Sequence, residues 1–137
     1  MKILTTKIFY VYLSALIISF FTPIAKLMFL VGLLVTFDII TGVIAAKKRG
    51  EKITSKKLGA SVTKTLLYFI AIILAQLMQN NFLPTFDQSI TKAVSAIFAV
   101  IEFKSNLENI SSATGIDLIE KLKMYIETKR QVKKNEE

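Results

Sequence analysis

Phe37-Asp-Ile-Ile-Thr-Gly-Val-Ile-Ala-Ala-Lys-Lys-Arg-Gly50 (FDIITGVIAAKKRG) closes a long apolar run with three consecutive basic residues and carries one acid, Asp38, inside the run. The sharp edge at Lys47 has the form of a membrane boundary. Asp38 lies nine residues before Lys47. On a helix rising about 1.5 Å per residue, it would sit about 13 Å from that edge, near the middle of a bilayer. A carboxylate at that depth costs about 2.5–3.5 kcal/mol on insertion scales. It is therefore expected to face protein or water, or to stay protonated. Thr41 and Gly42 follow at three and four residues, on the same helix face. Gly42 and Ala46 form a small-xxx-small pair that allows close helix approach. Asp38, Thr41, Gly42 and Ala46 are the candidate helix-contact face. That face could act between subunits and line a lesion, or be buried inside one subunit for structure alone.

The rest of the 137-residue chain fits this reading. Hydrophobic residues make up 53%, mean hydropathy is +0.52 and the net charge is +8. The charges are segregated from the apolar stretches rather than mixed with them, which favours a membrane protein over a nucleic-acid binder. The chain has neither Cys nor His. Disulfides, thiolate chemistry, most zinc sites and His-dependent nucleophilic catalysis are excluded. There is no Gly-rich phosphate loop. No enzyme activity, catalytic residue, cofactor or metal is expected.

The expected fold class is all-α: a polytopic membrane protein with four transmembrane helices and a C-terminal cytoplasmic amphipathic helix. The spans fall at about 4–22, 24–46, 65–83 and 86–103, making residues 1–104 the membrane domain. Thr22-Pro23 reads as an N-cap followed by Pro at the first helical position, separating spans one and two. Thr85 with Gln88 resembles a capping box opening span four. A cleaved signal peptide over the first 25 residues competes with span one, but Ile24-Ala25 before Lys26 makes a poor cleavage site.

The basic residues set the orientation. The N-terminus holds Lys2 and Lys7, and the turn after span one holds at most Lys26. The loop at 47–64 holds Lys47, Lys48, Arg49, Lys52, Lys56, Lys57 and Lys64. The turn after span three has no basic residue, and the segment after Phe103 is basic again. Four spans with both termini in the cytoplasm satisfy this alternation. A three-span arrangement would leave one strongly basic segment outside.

Residues 105–137 read as a basic cytoplasmic segment. Ser105 with Glu108, and Asp117 with Glu120, have capping-box spacing, and Gly115 interrupts the helical pattern between them. Over residues 117–130, Leu118, Ile119, Leu122, Tyr125 and Ile126 share one face. Such a helix can lie on the anionic inner leaflet, or pack on its own protein or on another copy. Salt bridges from Glu102 or Glu108 to Lys56, Lys57 or Lys64 are possible, with solvated interfacial charge the default for any one pair.

Two blocks carry a family resemblance. The first is Asp38-Ile-Ile-Thr-Gly42, followed by the basic loop with Ser55-Lys-Lys-Leu-Gly59 and by Lys64 opening the next span. The second is Glu102-Phe-Lys-Ser-Asn-Leu-Glu108-Asn109 with Gly115 downstream, so Glu102, Ser105, Glu108, Asn109 and Gly115 match the pattern. Together they resemble the phage holin family of the toxin-secretion/phage-lysis type (holin superfamily IV). The Pro that often follows the family's Gly is missing after Gly115. The resemblance implies a protein of the bacterial cytoplasmic membrane that homo-oligomerises and permeabilises the membrane. It implies a cell-wall-degrading endolysin as functional partner, or in some systems a secreted toxin. The residues themselves also permit an ion channel or transporter subunit using Asp38, or a non-lytic membrane anchor with a recruiting tail.

Overall fold

The computed structural model describes residues 2–83 and 88–135, with side chains over 5–83 and 88–134. Four helices follow one another: α1 (Lys2–Lys48), α2 (Ser55–Phe82), α3 (Ser89–Thr114) and α4 (Leu118–Asn135). The second half of α1 packs against both α2 and α3, and α4 touches α3 alone among the described elements. Two described helices are long and apolar enough to cross a membrane, Thr5–Lys48 with mean hydropathy 2.4 and Ser55–Phe82 with 1.8. Lys92, Glu102, Lys104 and Glu108 put at least three charges in every 18-residue stretch of α3 and keep it out of that class.

The largest departure from the sequence expectation is at Pro23. The boundary expected there is absent, and α1 runs through it as one helix of 47 residues. Thr22 does not cap a new helix. Its hydroxyl donates backwards to the Ile18 carbonyl at 2.6 Å, a bond that belongs to a helix interior. Packing reinforces the continuity. Ile24 is fully buried with Val31 and Ile72, and Phe20, one turn before it, leans on the same cluster. The expected capping box at Thr85 lies outside the described residues. Its partner position, Gln88, precedes α3 in the left-handed region at φ 47 without a side-chain cap bond.

Two other boundaries shift for local reasons. The third apolar helix starts ten residues earlier than expected, because Thr54 caps it by accepting from the Lys57 amide. Lys56, Lys57 and Lys64 are therefore helical, and only residues 49–54 connect α1 to α2. Ser105 does not start a helix either, since α3 continues through it to Thr114. Gly115 then stops α3 at φ 76, a conformation that costs glycine little, and its amide bonds back to the Ser111 carbonyl at 2.8 Å. Asp117 does cap α4, accepting from the Glu120 amide at 2.9 Å.

The interior is layered. At the end near the α2–α3 turn, Gln76, Gln79, Thr91 and Ser95 form a buried polar layer. Thr91 donates to Gln76 at 3.1 Å, and Gln79 accepts from the Ile90 amide at 3.0 Å. An apolar layer follows, with Ile24, Val31 and Ile72 at its centre, and Tyr68 stacked on Phe98 at 4.1 Å. A second polar layer lies beyond it, towards the basic connection. Ile72→Ala should cost about 2–5 kcal/mol through the cavity it leaves. Leu74→Ala, at an outward position, should change stability by less than about 0.5 kcal/mol. Thermal unfolding of the detergent-solubilised variants measures both, and equal effects would contradict the placement of the core.

Candidate functional site

The second polar layer brings together residues from all three packed helices. α3 contributes one face: Glu102, Ser105, Asn106 and Asn109 recur at helical spacing. α2 contributes Lys64 and Tyr68, one turn apart. α1 contributes Asp38 and Thr41. The Lys64 ammonium sits between two carboxylates, 3.1 Å from Asp38 Oδ2 and 2.9 Å from Glu102 Oε2. Tyr68 donates its hydroxyl to the other Glu102 oxygen at 2.9 Å. Ser105 and Asn109 donate to Asp38 Oδ1 at 2.6 and 2.9 Å. Asn106 donates to the Leu34 carbonyl at 3.0 Å and accepts from Thr41 at 3.2 Å.

These bonds explain how a carboxylate can occupy an apolar helix. The Glu102 side chain is 0% exposed and Asp38 12% exposed. A buried charge is tolerated only when paired and hydrogen-bonded. No buried side-chain nitrogen or oxygen among the described residues lacks a partner. Two carboxylates share one ammonium, and neutral donors satisfy the remaining lone pairs. Gly42 serves the same contact. A Cβ there would stand 3.4 Å from the Asn109 amide nitrogen, in ordinary contact, so Gly42 marks where α1 faces the Asn109 side chain of α3. Ala46 is buried beside Ala45 farther along the same helix.

The sequence-derived sites thus separate into groups. Asp38, Thr41 and Gly42 meet Ser105 and Asn109 within one chain. Glu102 is not a solvated interfacial charge; it is the most deeply buried ionisable group of the cluster. Glu108 points away, and its half-exposed carboxylate pairs with Lys104 at 2.8 Å. Lys64 belongs to this cluster rather than to the basic connection. Tyr68 and Asn106 escaped the sequence reading. Asn106 sits four residues after Glu102, and a helix drawn straight through Ser105 would have put it on the same face.

A cleft of about 280 Å³ leads from the α1–α2 connection down to this cluster, with Asp38, Ser105 and Asn109 at its floor and Arg49 and Lys57 at its rim. Glu51 bridges the rim, 2.7 Å from Arg49 and 3.1 Å from Lys57. The hydrogen bond from Arg49, and then that from Lys57, hold its carboxyl down to about 2, so this fully exposed bridge is ionised at neutral pH. Lys48 donates to the Ala113 carbonyl and Arg49 to the Ser112 hydroxyl at 2.6 Å. Both cations lie where the C-terminal end of the α3 dipole attracts them. The remaining basic residues of the loop, Lys47, Lys52 and Lys56, are exposed.

Removing Lys64 should expose the dependence of the layer on its one cation. Lys64→Met leaves two buried carboxylates uncompensated and should cost about 3–5 kcal/mol. Glu108→Gln, in the same sequence block but at an exposed pair, should cost less than about 1 kcal/mol. Thermal unfolding in detergent ranks them, and a Lys64→Met protein as stable as the parent would contradict the ionic description.

No curated protein and no solved structure matches the chain. The sequence model of the bacteriophage holin family matches residues 4–131, taking in α1, α2, α3, the polar layer between them and most of α4. The chain belongs to the bacteriophage holin family.

Proposed function

We propose that the protein acts as a holin: it oligomerises in the cytoplasmic membrane of the host bacterium and opens lesions that release a cell-wall-degrading enzyme or a toxin. One observation beyond the family match carries this reading. A helical bundle of membrane length is braced inside by charged and amide side chains instead of by apolar packing alone. Each of those polar faces lies on one helix and is satisfied by the next. When the helices separate, the same faces can be hydrated, giving a lesion a wettable wall. Asp38, Thr41 and Gly42 on one side, and Glu102, Ser105 and Asn109 on the other, are the surfaces that would turn to water. The cleft ending at Asp38 supports a second reading, an ion-conducting subunit. Against it, Lys64, Ser105 and Asn109 already engage both oxygens of the Asp38 carboxylate.

The topology we propose has four spans and both termini in the cytoplasm. Lys26 and Lys47 are 21 residues apart, about 32 Å along a helix, which matches the roughly 30 Å of a bilayer core. The second half of α1 therefore fills the membrane by itself. A straight α1 would be about 70 Å long. Its first half would then carry Phe9, Tyr10, Val11, Leu16 and Ile18, all exposed, far beyond the outer headgroups. Apolar residues on every side of a helix belong in lipid. Pro23 supplies the place to bend, because it has no N–H for the Ser19 carbonyl. α4 carries Lys121, Lys123, Lys129, Arg130, Lys133 and Lys134 against Glu120 and Glu127, a balance suited to the anionic inner leaflet.

Inducible expression in a bacterium should give an abrupt loss of membrane potential, followed by lysis only when a muralytic enzyme is co-expressed. A steady, ion-selective conductance without killing would favour the second reading. Asp38→Leu should change the onset of lysis, and an unchanged onset would remove the acid from the lesion surface.

A further inference from the structure

Two of the uncovered apolar features among the described residues match in place and length. The first is a groove of about 440 Å³ on the flank of the bundle, lined by Phe29, Gly32, Leu33 and Thr36 of α1 and by Thr65 and Phe69 of α2. The second is the first half of α1, where residues 5–19 are all exposed. We infer that the groove is the seat of this chain's own N-terminal helical half, which folds back about Pro23 to complete a four-helix closed form. This rests on the four-span topology proposed above and adds to it which surface the first span occupies.

Depth is the first argument. The groove residues lie between Lys26 and Lys47, on the part of α1 whose length matches the bilayer. A hairpin about Pro23 returns the first span to that depth. The 21 residues from Lys2 to Pro23 reach about 32 Å, so Lys2 arrives opposite Ile44, about one turn short of the basic edge at Lys47. Register is the second. Residues equidistant from Pro23 face each other in such a hairpin: Ser14 meets Gly32, Tyr10 meets Thr36 and Ile17 meets Phe29. Tyr10, Ser14 and Ile17 lie on one face of their helix, and Phe29, Gly32 and Thr36 lie on one face of theirs. Where the helices come nearest, both carry a small residue, the pattern that membrane helix contacts favour. A Cβ at Gly32 would meet the Phe69 ring at 3.2 Å, so the missing side chain keeps these two groove-lining residues close.

The hinge itself is already weakened. Pro23 removes one backbone bond from the helix, and the main tie across it is the contact of Phe20 with the Ile24 cluster. The straight α1 and the folded hairpin are then two arrangements of one segment. The straight form empties the groove and exposes a helix-wide apolar surface.

The chain has no cysteine, so paired cysteines test the seat on a clean background. In native membranes, copper-phenanthroline oxidation of Tyr10→Cys/Thr36→Cys and of Ile17→Cys/Phe29→Cys should give a faster-migrating monomer. Tyr12→Cys/Thr36→Cys, with the first cysteine on the opposite face, should yield at least several-fold less. Labelling of Lys2→Cys by a membrane-impermeant maleimide reads the topology separately. Failure of both face pairs to cross-link, with Lys2→Cys shielded from outside, would overturn the seat and leave four spans standing. Cross-linked dimers in place of monomers would overturn it in favour of a second copy in the groove. Lys2→Cys reached from outside would overturn both the seat and the topology.

Discussion

The structure depends on one ammonium group. Lys64 stands between Asp38 of α1 and Glu102 of α3, so a single side chain of α2 ties the other two helices to it and to each other. Inside a membrane, apolar side chains gain little by leaving lipid for protein, and helix association rests on packing and polar contacts. The neutral donors Tyr68, Ser105 and Asn109 satisfy the carboxylate oxygens that Lys64 does not reach. Removing any one member leaves others without partners, which makes the layer a cooperative unit. A holin must stay intact until it acts and then change state abruptly. A brace whose parts stabilise one another has that character.

The second constraint is the bilayer. Lys26 and Lys47 bracket one membrane thickness, and everything before Pro23 exceeds it. On the proposed four-span topology, the same chain contains a bundle that fits a membrane and an apolar helical extension that returns to it. The groove between α1 and α2, the proline and the matching face of the extension describe one rearrangement. Emptying or filling that groove changes how much apolar helix the protein offers to its neighbours, which links the fold of a single chain to assembly.

Much of this was legible in the sequence, and the failures have physical causes. Asp38 announced itself as a costly acid that had to face protein or water or stay protonated, and Gly42 as a close-contact position. The two family-like blocks pointed to Glu102, Ser105 and Asn109. The pairing of the blocks was not legible, because nothing local states which helix faces meet. Ser105 with Glu108 obeys the spacing of a capping box, yet the side chain of Ser105 is used across the bundle and the helix runs on. At Pro23 the cap rule met a tertiary contact, Phe20 and Ile24 on one cluster, and the contact prevailed. Lys64 looked like the last residue of a basic loop because the apolar run starts after it. The helix had started at Thr54, and that placed Lys64 nearly three turns inside.

The most direct test of the account is the coupling between Lys64 and Glu102. Thermal unfolding of Lys64→Met, Glu102→Gln and the double variant in detergent closes a double-mutant cycle. If the ammonium and the carboxylate brace the bundle as a unit, the double variant loses less stability than the two single losses combined, by about 1–3 kcal/mol. Losses that add to within about 0.5 kcal/mol would mean that the two groups act independently, and the bundle would not depend on their pairing.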